Sequence, residues 1–192
     1  NIEWLDEMAW VADNYLANYS KALDYYEKAF RIASTSEKKD SDDIASYNYK
    51  IGGVYMSALK YDMALKYVQE ALKINLELYD EEDADEAKCY DRIGLIYDKK
   101  GNWEEAIKNL NKAFEIRLEI CDSDDMDLAK SINNIAVVCS NFGETDSTYL
   151  DLLTTAINIA LENYDDDDIN LAPYYNNIAF AYSDLGKNDL AL

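Results

Sequence analysis

Apolar residues recur every three or four positions along most of the chain, which is the spacing of amphipathic helices rather than of strands. In residues 87–120 the pattern passes through Tyr90 and Tyr97, breaks at Gly101-Asn102 and resumes at Trp103. Two helices joined by a turn at the glycine explain both the spacing and the break. Neither helix can bury its apolar face alone, so the stretch predicts a helical hairpin that packs against further hairpins.

The hairpin recurs with a period of about 42 residues. Gly94 follows Gly52 after 42 residues, Ala136 follows Gly94 after 42, and Ala179 follows Ala136 after 43. The turn glycine recurs at Gly101, Gly143 and Gly186. This period predicts units at residues 1–40, 41–82, 83–124 and 125–167, with a partial unit at 168–192. All six glycines fall at packing or turn positions, which leaves none for a phosphate-binding loop.

Each unit is expected to hold a first and a second helix. The predicted helices cover residues 2–16, 19–36, 43–58, 61–79, 85–100, 103–121, 127–141, 146–164 and 169–185, and another begins after Lys187. Two units depart from the pattern. Trp10 stands where other first helices carry glycine or alanine, and the register slips by one residue between Gly143 and Ala156.

Small-x-x-Tyr, a turn glycine, aromatic-x-x-Ala and a later Ala-Phe together resemble the tetratricopeptide (TPR) repeat. The 42-residue period is similar to the longer variant of kinesin light chains and related bacterial proteins, as are the Asn-Asn-Ile-Ala segments at 133–136 and 176–179. The resemblance implies an all-α fold, a right-handed TPR solenoid of antiparallel hairpins with about four complete hairpins and one extra helix. We expect a single repeat domain over 1–192 that is a fragment of a longer protein.

Charge and composition narrow the function. The 192 residues carry 39 Asp and Glu against 18 Lys and Arg, a formal net charge of −21, and no histidine. This charge argues against nucleic acid or an anionic membrane as partner, and no apolar run is long enough for a membrane span. Without histidine, and without an indicated acid–base pair in an apolar pocket, we predict a non-enzyme with no cofactor. Cys89, Cys121 and Cys139 lack metal-ligand spacing and fit free thiols of a cytoplasmic protein.

Acidic clusters precede four of the first helices, at residues 40–43, 80–83, 122–125 and 165–168. Asp and Ser at such places cap the unpaired N–H groups of a helix start and suit its positive end. The alternative is calcium binding by the run 122–127. That run lacks the glycine at the sixth position and the glutamate at the twelfth of an EF-hand loop, so we predict capping and no dedicated metal site.

The first helix of each hairpin lines the concave groove in a TPR solenoid, so the repeat register identifies inward positions. We align the first helices on their small residues, Gly52, Gly94, Ala136 and Ala179, and count positions from these. The inward positions then give the candidate peptide-binding residues Tyr49, Lys50, Lys88, Arg92, Lys99, Lys130, Asn133, Asn134, Asn176 and Asn177. In TPR domains that bind peptides, Lys and Arg at these positions clamp carboxylates and Asn holds the peptide backbone. Independently, Arg can bind a carboxylate with two hydrogen bonds, and Asn offers both a donor and an acceptor. The plainer alternative is that these are solvated surface residues.

Three functions are compatible with this pattern. The leading hypothesis is a protein–protein interaction scaffold whose groove binds an extended peptide of acidic or carboxylate character. The second is a ligand-sensing regulatory TPR domain, similar to peptide-pheromone receptors, that controls an output domain. The third is self-association through the apolar stripe of the unpaired C-terminal helix at 174–185.

Overall fold

The computed structural model describes residues 2–35, 41–79, 83–120, 125–143, 147–165 and 168–185. These residues form α1 Ile2–Asn14, α2 Tyr19–Thr35, α3 Ser41–Ser57, α4 Tyr61–Leu78, α5 Ala84–Lys99, α6 Trp103–Ile120, α7 Met126–Phe142, α8 Ser147–Asn163 and α9 Ala172–Asp184, with a 3₁₀ turn at Ile169–Leu171. No strand occurs within those ranges, so the predicted all-α class is confirmed. The bounds of the nine helices agree with the predicted ones within three residues. The helix predicted after Lys187 lies outside the described residues.

The chain divides into two compact units, Asn1–Lys100 and Gly101–Leu192. In the first unit α1 packs on α2, α2 on α3, α3 on α4 and α4 on α5. In the second, α6 packs on α7, α7 on α8 and α8 on α9. Within each unit, every helix therefore packs on its neighbours in sequence, which is the contact pattern of stacked hairpins. A single domain over 1–192 stays a prediction.

Small residues allow the two helices of a hairpin to approach closely. Fully buried alanines recur along the second helices, at Ala22, Ala29, Ala64, Ala71, Ala106, Ala113 and Ala156. Opposite Ala64 lies Gly52 of α3, where a Cβ atom would stand 2.5 Å from Val68 Cγ2 and 3.2 Å from the Ala64 carbonyl oxygen. That crossing has no room for a side chain, which is why glycine stands there.

Connections of two lengths explain the irregular units. Three residues separate α3 from α4 and α5 from α6, whereas four separate α1 from α2 and α7 from α8. The extra residue places Ala9, which is fully buried, at the small position of α1, and leaves Trp10 half exposed. In α8, Tyr149 is buried where other second helices carry the first alanine. Counting back from Ala22 alone assigns that position to Trp10, one residue too far along the chain.

A buried pair of residues joins each second helix to the first helix that follows it, and in three of the four pairs a small residue faces a large one. The pairs occupy equivalent repeat positions: Ala33 with Tyr47, Asn75 with Cys89, Arg117 with Ser131, and Ala160 with Tyr174. All eight residues are at most 7% exposed. Where the second helix offers alanine, the first helix carries tyrosine; where it offers arginine, the partner is serine. In these three pairs the total volume is similar although the residue types change, whereas Asn75 and Cys89 are both of medium size.

Helix ends follow the predicted chemistry where they are described. Side chains of Asp83, Asp125 and Asp168 each accept a hydrogen bond, of 2.6–2.8 Å, from a backbone N–H two or three residues later. The capping role of the acidic clusters is confirmed at these three residues. Gly101 and Gly143 adopt φ of +72° and +93° at the turns, a region that favours glycine. Gly186 lies outside the described residues.

Candidate functional site

A cavity of about 590 Å³ lies on the first unit. Its lining includes side chains from four helices: Asp6, Glu7, Trp10, Tyr26, Lys50 and Arg92. The volume is within the usual range for a small-molecule or short-peptide pocket. Two carboxylates, two cations and exposed aromatic surface make this cavity suited to a polar, partly aromatic ligand.

Arg92 of α5 is held in a defined orientation at this cavity. Its Nη1 donates a hydrogen bond of 2.9 Å to the carbonyl oxygen of Tyr49, and its guanidinium carbon lies 3.7 Å from the centroid of the Tyr49 ring. Gly53 makes this placement feasible, because a Cβ atom there would lie 2.7 Å from Nη1. The hydrogen bond uses one of the five N–H donors of the guanidinium group, so the others remain for a carboxylate.

Lys50 of α3 is compensated within the protein. Its Nζ lies 2.5 Å from a carboxylate oxygen of Asp6 and 5.2 Å from the centroid of the Tyr47 ring. Both members of the pair are about one-third exposed, so the pair contributes only about 0–1 kcal/mol to stability. Its larger effect is to neutralise Asp6 and to fix the Lys50 ammonium above aromatic surface.

These contacts follow one rule of the repeat. Each first helix has one small reference residue, and these are Ala9, Gly52, Gly94, Ala136 and Ala179. The residue two positions before the reference contacts a residue of the preceding first helix. That contacted residue lies three positions before the reference of its own helix. The three instances are Lys50 to Asp6, Arg92 to Tyr49, and Asn177 to Asn133, where Nδ2 donates to Oδ1 at 2.9 Å. Such contacts between neighbouring repeats restrain side chains that a ligand would otherwise have to order.

The remaining predicted cations each have an acidic neighbour on their own helix. Lys88 bonds to Asp85 at 2.7 Å, Lys99 to Asp98 at 3.2 Å, and Lys130 to Asp127 at 2.8 Å. The Lys88 and Lys130 pairs are exposed on both sides and therefore weak, whereas Lys99 pairs with a buried carboxylate and is itself 53% exposed.

The structure brings together some of the predicted site residues. Tyr49, Lys50 and Arg92 line the 590 Å³ cavity. Lys99 shares a cavity of about 350 Å³ with Arg92, and Lys88 shares one of about 260 Å³ with Tyr49 and Lys50. The others belong to the second unit: Lys130, Asn133 and Asn134 on α7, and Asn176 and Asn177 on α9.

Sequence reasoning missed the wall that α1 contributes, Asp6, Glu7 and Trp10. It took Trp10 as the small position of the first helix, which shifts every residue of α1 by one. Two small residues in the sequence, Ala9 and Ala12, indicate the correct register of α1. Both are buried in the structure. In that register Glu7 is equivalent to Lys50 and Arg92.

A partly buried carboxyl group lies near Arg92. Oδ1 of Asp13 on α1 is buried and has no hydrogen-bond partner in the described part of the chain. Burial raises the pKa of Asp13, while a hydrogen bond with Ser57 and the positive charge of Arg92 oppose that rise. Burial and the charges of Asp6 and Asp13 also raise the pKa of Tyr26 to about 12, so this phenol stays neutral at physiological pH.

Cys89 is expected to be an unreactive thiol. The residue is 1% exposed, and burial raises its pKa to about 12. Because the thiolate is the reactive form, a disulfide reagent should modify native Cys89 on the order of 100-fold more slowly than an unhindered cysteine. Labelling a Cys121→Ser/Cys139→Ser variant at neutral pH measures this rate, with the same variant in concentrated urea as control. Equal rates in the two conditions would contradict the burial of this thiol.

Comparisons with known proteins agree with the repeat geometry. Residues 42–119 match the tetratricopeptide repeat family model, and no curated protein sequence matches the chain.

BtubC (BKLC) from P. vanneervenii has a similar structure, with a TM-score of 0.85 at 20% identity over 99% of this chain and 75% of BtubC. A Podosopora anserina protein named for the kinesin light chain, with nearly identical TPR-like repeats, gives 0.79 at 15% identity over 99% of this chain and 89% of that one. The Rap conjugation gene regulator of plasmid pLS20, solved with the Phr* peptide, gives 0.81 at 19% identity over 100% of this chain and 50% of the regulator.

The chain has a TPR-like helical-repeat fold, as its sequence pattern predicted. Folds of this type typically serve as non-enzymatic protein-interaction scaffolds. None of the described helices is long and apolar enough to cross a membrane. Within the described ranges, no three His, Cys, Asp or Glu residues are grouped closely enough to hold a metal ion; Asp122 and Asp124 of the candidate calcium run lie outside them.

Proposed function

We infer that the protein is an interaction scaffold that binds an extended peptide segment of a partner through its first-helix faces. The observation that carries this proposal is Arg92. A backbone hydrogen bond, a stacked ring and a glycine opposite its tip hold the guanidinium group at the wall of the 590 Å³ cavity. An arginine positioned before the ligand arrives loses little conformational freedom on binding.

The proposed ligand group at Arg92 is a carboxylate. The chain as a whole is strongly acidic, with a net charge of −21, yet Lys50, Lys88, Arg92 and Lys99 line three cavities of one unit. Carboxylates are bound by arginine through paired hydrogen bonds, which neither lysine nor a neutral donor reproduces. Acidic side chains of the partner, or its C-terminal carboxylate, supply this group.

The proposed backbone contacts are asparagines. In the second unit Asn133 and Asn177 are already joined across α7 and α9 by a 2.9 Å hydrogen bond, and Asn134 and Asn176 flank them. Asparagine matches the donor and acceptor of a peptide unit. That the pLS20 Rap regulator was solved with a bound peptide supports an extended peptide as the ligand class.

Arg92→Glu is expected to weaken peptide binding about 30-fold or more, because it places a negative charge against the ligand carboxylate. The probe is the tightest peptide that the wild-type protein selects from a library of random dodecapeptides, and fluorescence anisotropy measures its affinity. Asn134→Ala should weaken the same peptide by about tenfold or less.

The matched control is Lys108→Glu, an equal charge change on an exposed lysine of α6. This variant should bind the selected peptide as the wild type does, and circular dichroism should show all three variants folded. Equal affinity of the Arg92→Glu and Lys108→Glu variants would overturn the role of Arg92. A library that yields no enriched peptide would overturn peptide binding itself.

A further inference from the structure

We propose that the 590 Å³ cavity selects peptides that carry both a cationic and a carboxylate group, with the cation on α1 and the carboxylate on α5. The inference rests on the proposed peptide binding and adds the charge pattern of the ligand. It follows from the signs of the side chains at one repeat position, which differ from helix to helix around a single cavity.

The position two residues before the small residue carries Glu7 in α1, Lys50 in α3 and Arg92 in α5. All three line the same cavity. Lys50 is neutralised by Asp6 at 2.5 Å, which removes the middle charge. Arg92 contacts the Tyr49 carbonyl group and ring, both neutral, and the Asp13 carboxyl group, whose pKa burial raises, acts on it as a nearby charge and not as an ion-pair partner. Glu7 forms no ion pair within the described part of the chain. A negative group on one wall and a positive group on the other therefore remain to be matched.

Aromatic surface supports the acidic wall. Trp10 lies one helical turn from Glu7 on the same helix, lines the cavity and is 49% exposed. The indole face attracts ammonium and guanidinium groups, and a carboxylate beside it strengthens that attraction. The same protein already shows this chemistry internally, because Lys50 lies over the Tyr47 ring and against Asp6. A lysine or arginine of the ligand would find an equivalent environment at Glu7 and Trp10.

A ligand of one sign fits this cavity less well. A purely acidic peptide would leave Glu7 facing like charge, and a purely basic one would do the same to Arg92. Each mismatch opposes binding by repulsion and by the desolvation of an unmatched charge. Specificity for a dipolar segment therefore arises from rejection as well as from attraction.

The test is selection from a library of random dodecapeptides with acetylated N termini, run in parallel on the wild type and on the Glu7→Lys and Glu70→Lys variants. Glu70 is an exposed residue of α4 outside the cavity, so its variant controls for the change in net charge. The wild-type and Glu70→Lys pools should be enriched in peptides that contain both a Lys or Arg and an Asp or Glu. In the Glu7→Lys pool the enrichment of Lys and Arg should fall about tenfold, while that of Asp and Glu persists. A free N-terminal amine as the natural cation would appear as tighter binding of a selected peptide without its acetyl group.

The outcomes separate the two proposals. Acidic peptides enriched without Lys or Arg, in pools that do not differ between the wild type and the Glu7→Lys variant, would overturn the dipolar pattern and leave peptide binding intact. Equal loss of Lys and Arg in the Glu70→Lys and Glu7→Lys pools would assign the preference to net charge and also overturn it. No enrichment in any pool would contradict the scaffold function on which the inference rests.

Discussion

Replacing Tyr174 by alanine should lower the free energy of unfolding by about 3–5 kcal/mol, the usual cost of deleting a buried aromatic ring. Tyr174 on α9 is 5% exposed and belongs to a cluster with Leu128, Ile132 and Ala160. Alanine at position 160 cannot fill the space that the ring leaves, so a cavity remains. The loss is measured as a lower urea midpoint, and as faster hydrogen exchange in α9 than in α7.

Tyr175→Ala is the matched control for this change. The neighbouring side chain is 46% exposed, so its removal should alter the free energy of unfolding by no more than about 0.5 kcal/mol. If both variants unfold at the same urea concentration, the Tyr174 ring does not hold α9 against α7 and α8. In that case the size-complementary pairs are not the contacts that join neighbouring hairpins.

The helices and their pairing were predictable because close packing leaves a periodic record in the sequence. Gly52 is required by the approach of Val68 and Ala64, and the same crossing recurs every 42 or 43 residues. Small residues that recur with this period therefore report helix crossings, and turn glycines report the connections between them. Local propensity, periodicity and turn chemistry all indicate the same fold, which is why the bounds agree so closely.

Two local features were not predictable from periodicity. The last first helix was expected to begin at residue 169, but an α-helix begins only at Ala172. Pro173 has no N–H to donate to the carbonyl oxygen of Ile169, so that α-helical bond cannot form. The chain makes a 3₁₀ turn there instead, in which the Ala172 N–H donates to Ile169 and Asp168 caps the start. The predicted register of α1 was wrong by one residue, because the apolar spacing does not show how many residues connect α1 to α2.

Some contacts of the candidate site could be predicted from the sequence and others could not. Lys88 and Lys130 were visible from sequence on the predicted face, and their acidic partners three residues earlier follow directly from helix geometry. The contacts of Lys50 and Arg92 span 44 and 43 residues, and no helical spacing indicates them. They depend on the correct register of α1 and on the missing side chain at Gly53. A cavity with an acidic and a basic wall emerges only when both are known.

Replacing both members of a buried pair by those of the next interface is expected to restore stability that each single change removes. Arg117 and Ser131 are 5% and 0% exposed and are hydrogen-bonded to each other. Ser131→Tyr inserts a ring against the arginine, and Arg117→Ala leaves a cavity beside the serine; each should cost about 2–3 kcal/mol. The double variant recreates the Ala160 and Tyr174 pair of the next interface. Urea denaturation should show it at least about 2 kcal/mol more stable than the sum of the single changes predicts.

Arg117→Ala combined with Tyr175→Ala is the control for this cycle, because the exposed tyrosine does not share the pair's space, and the two effects should add within about 0.5 kcal/mol. Simple additivity in the Arg117→Ala/Ser131→Tyr variant as well would show that each interface is specific to its own residues. Recovery of stability in that double variant would show instead that a pair from one interface can replace the pair of another. Their buried interfaces would then tolerate any pair of the right total size, while the polar residues of the first helices remain free to differ. That separation accounts for how one scaffold carries Glu7, Lys50 and Arg92 at a single repeat position without a change of fold.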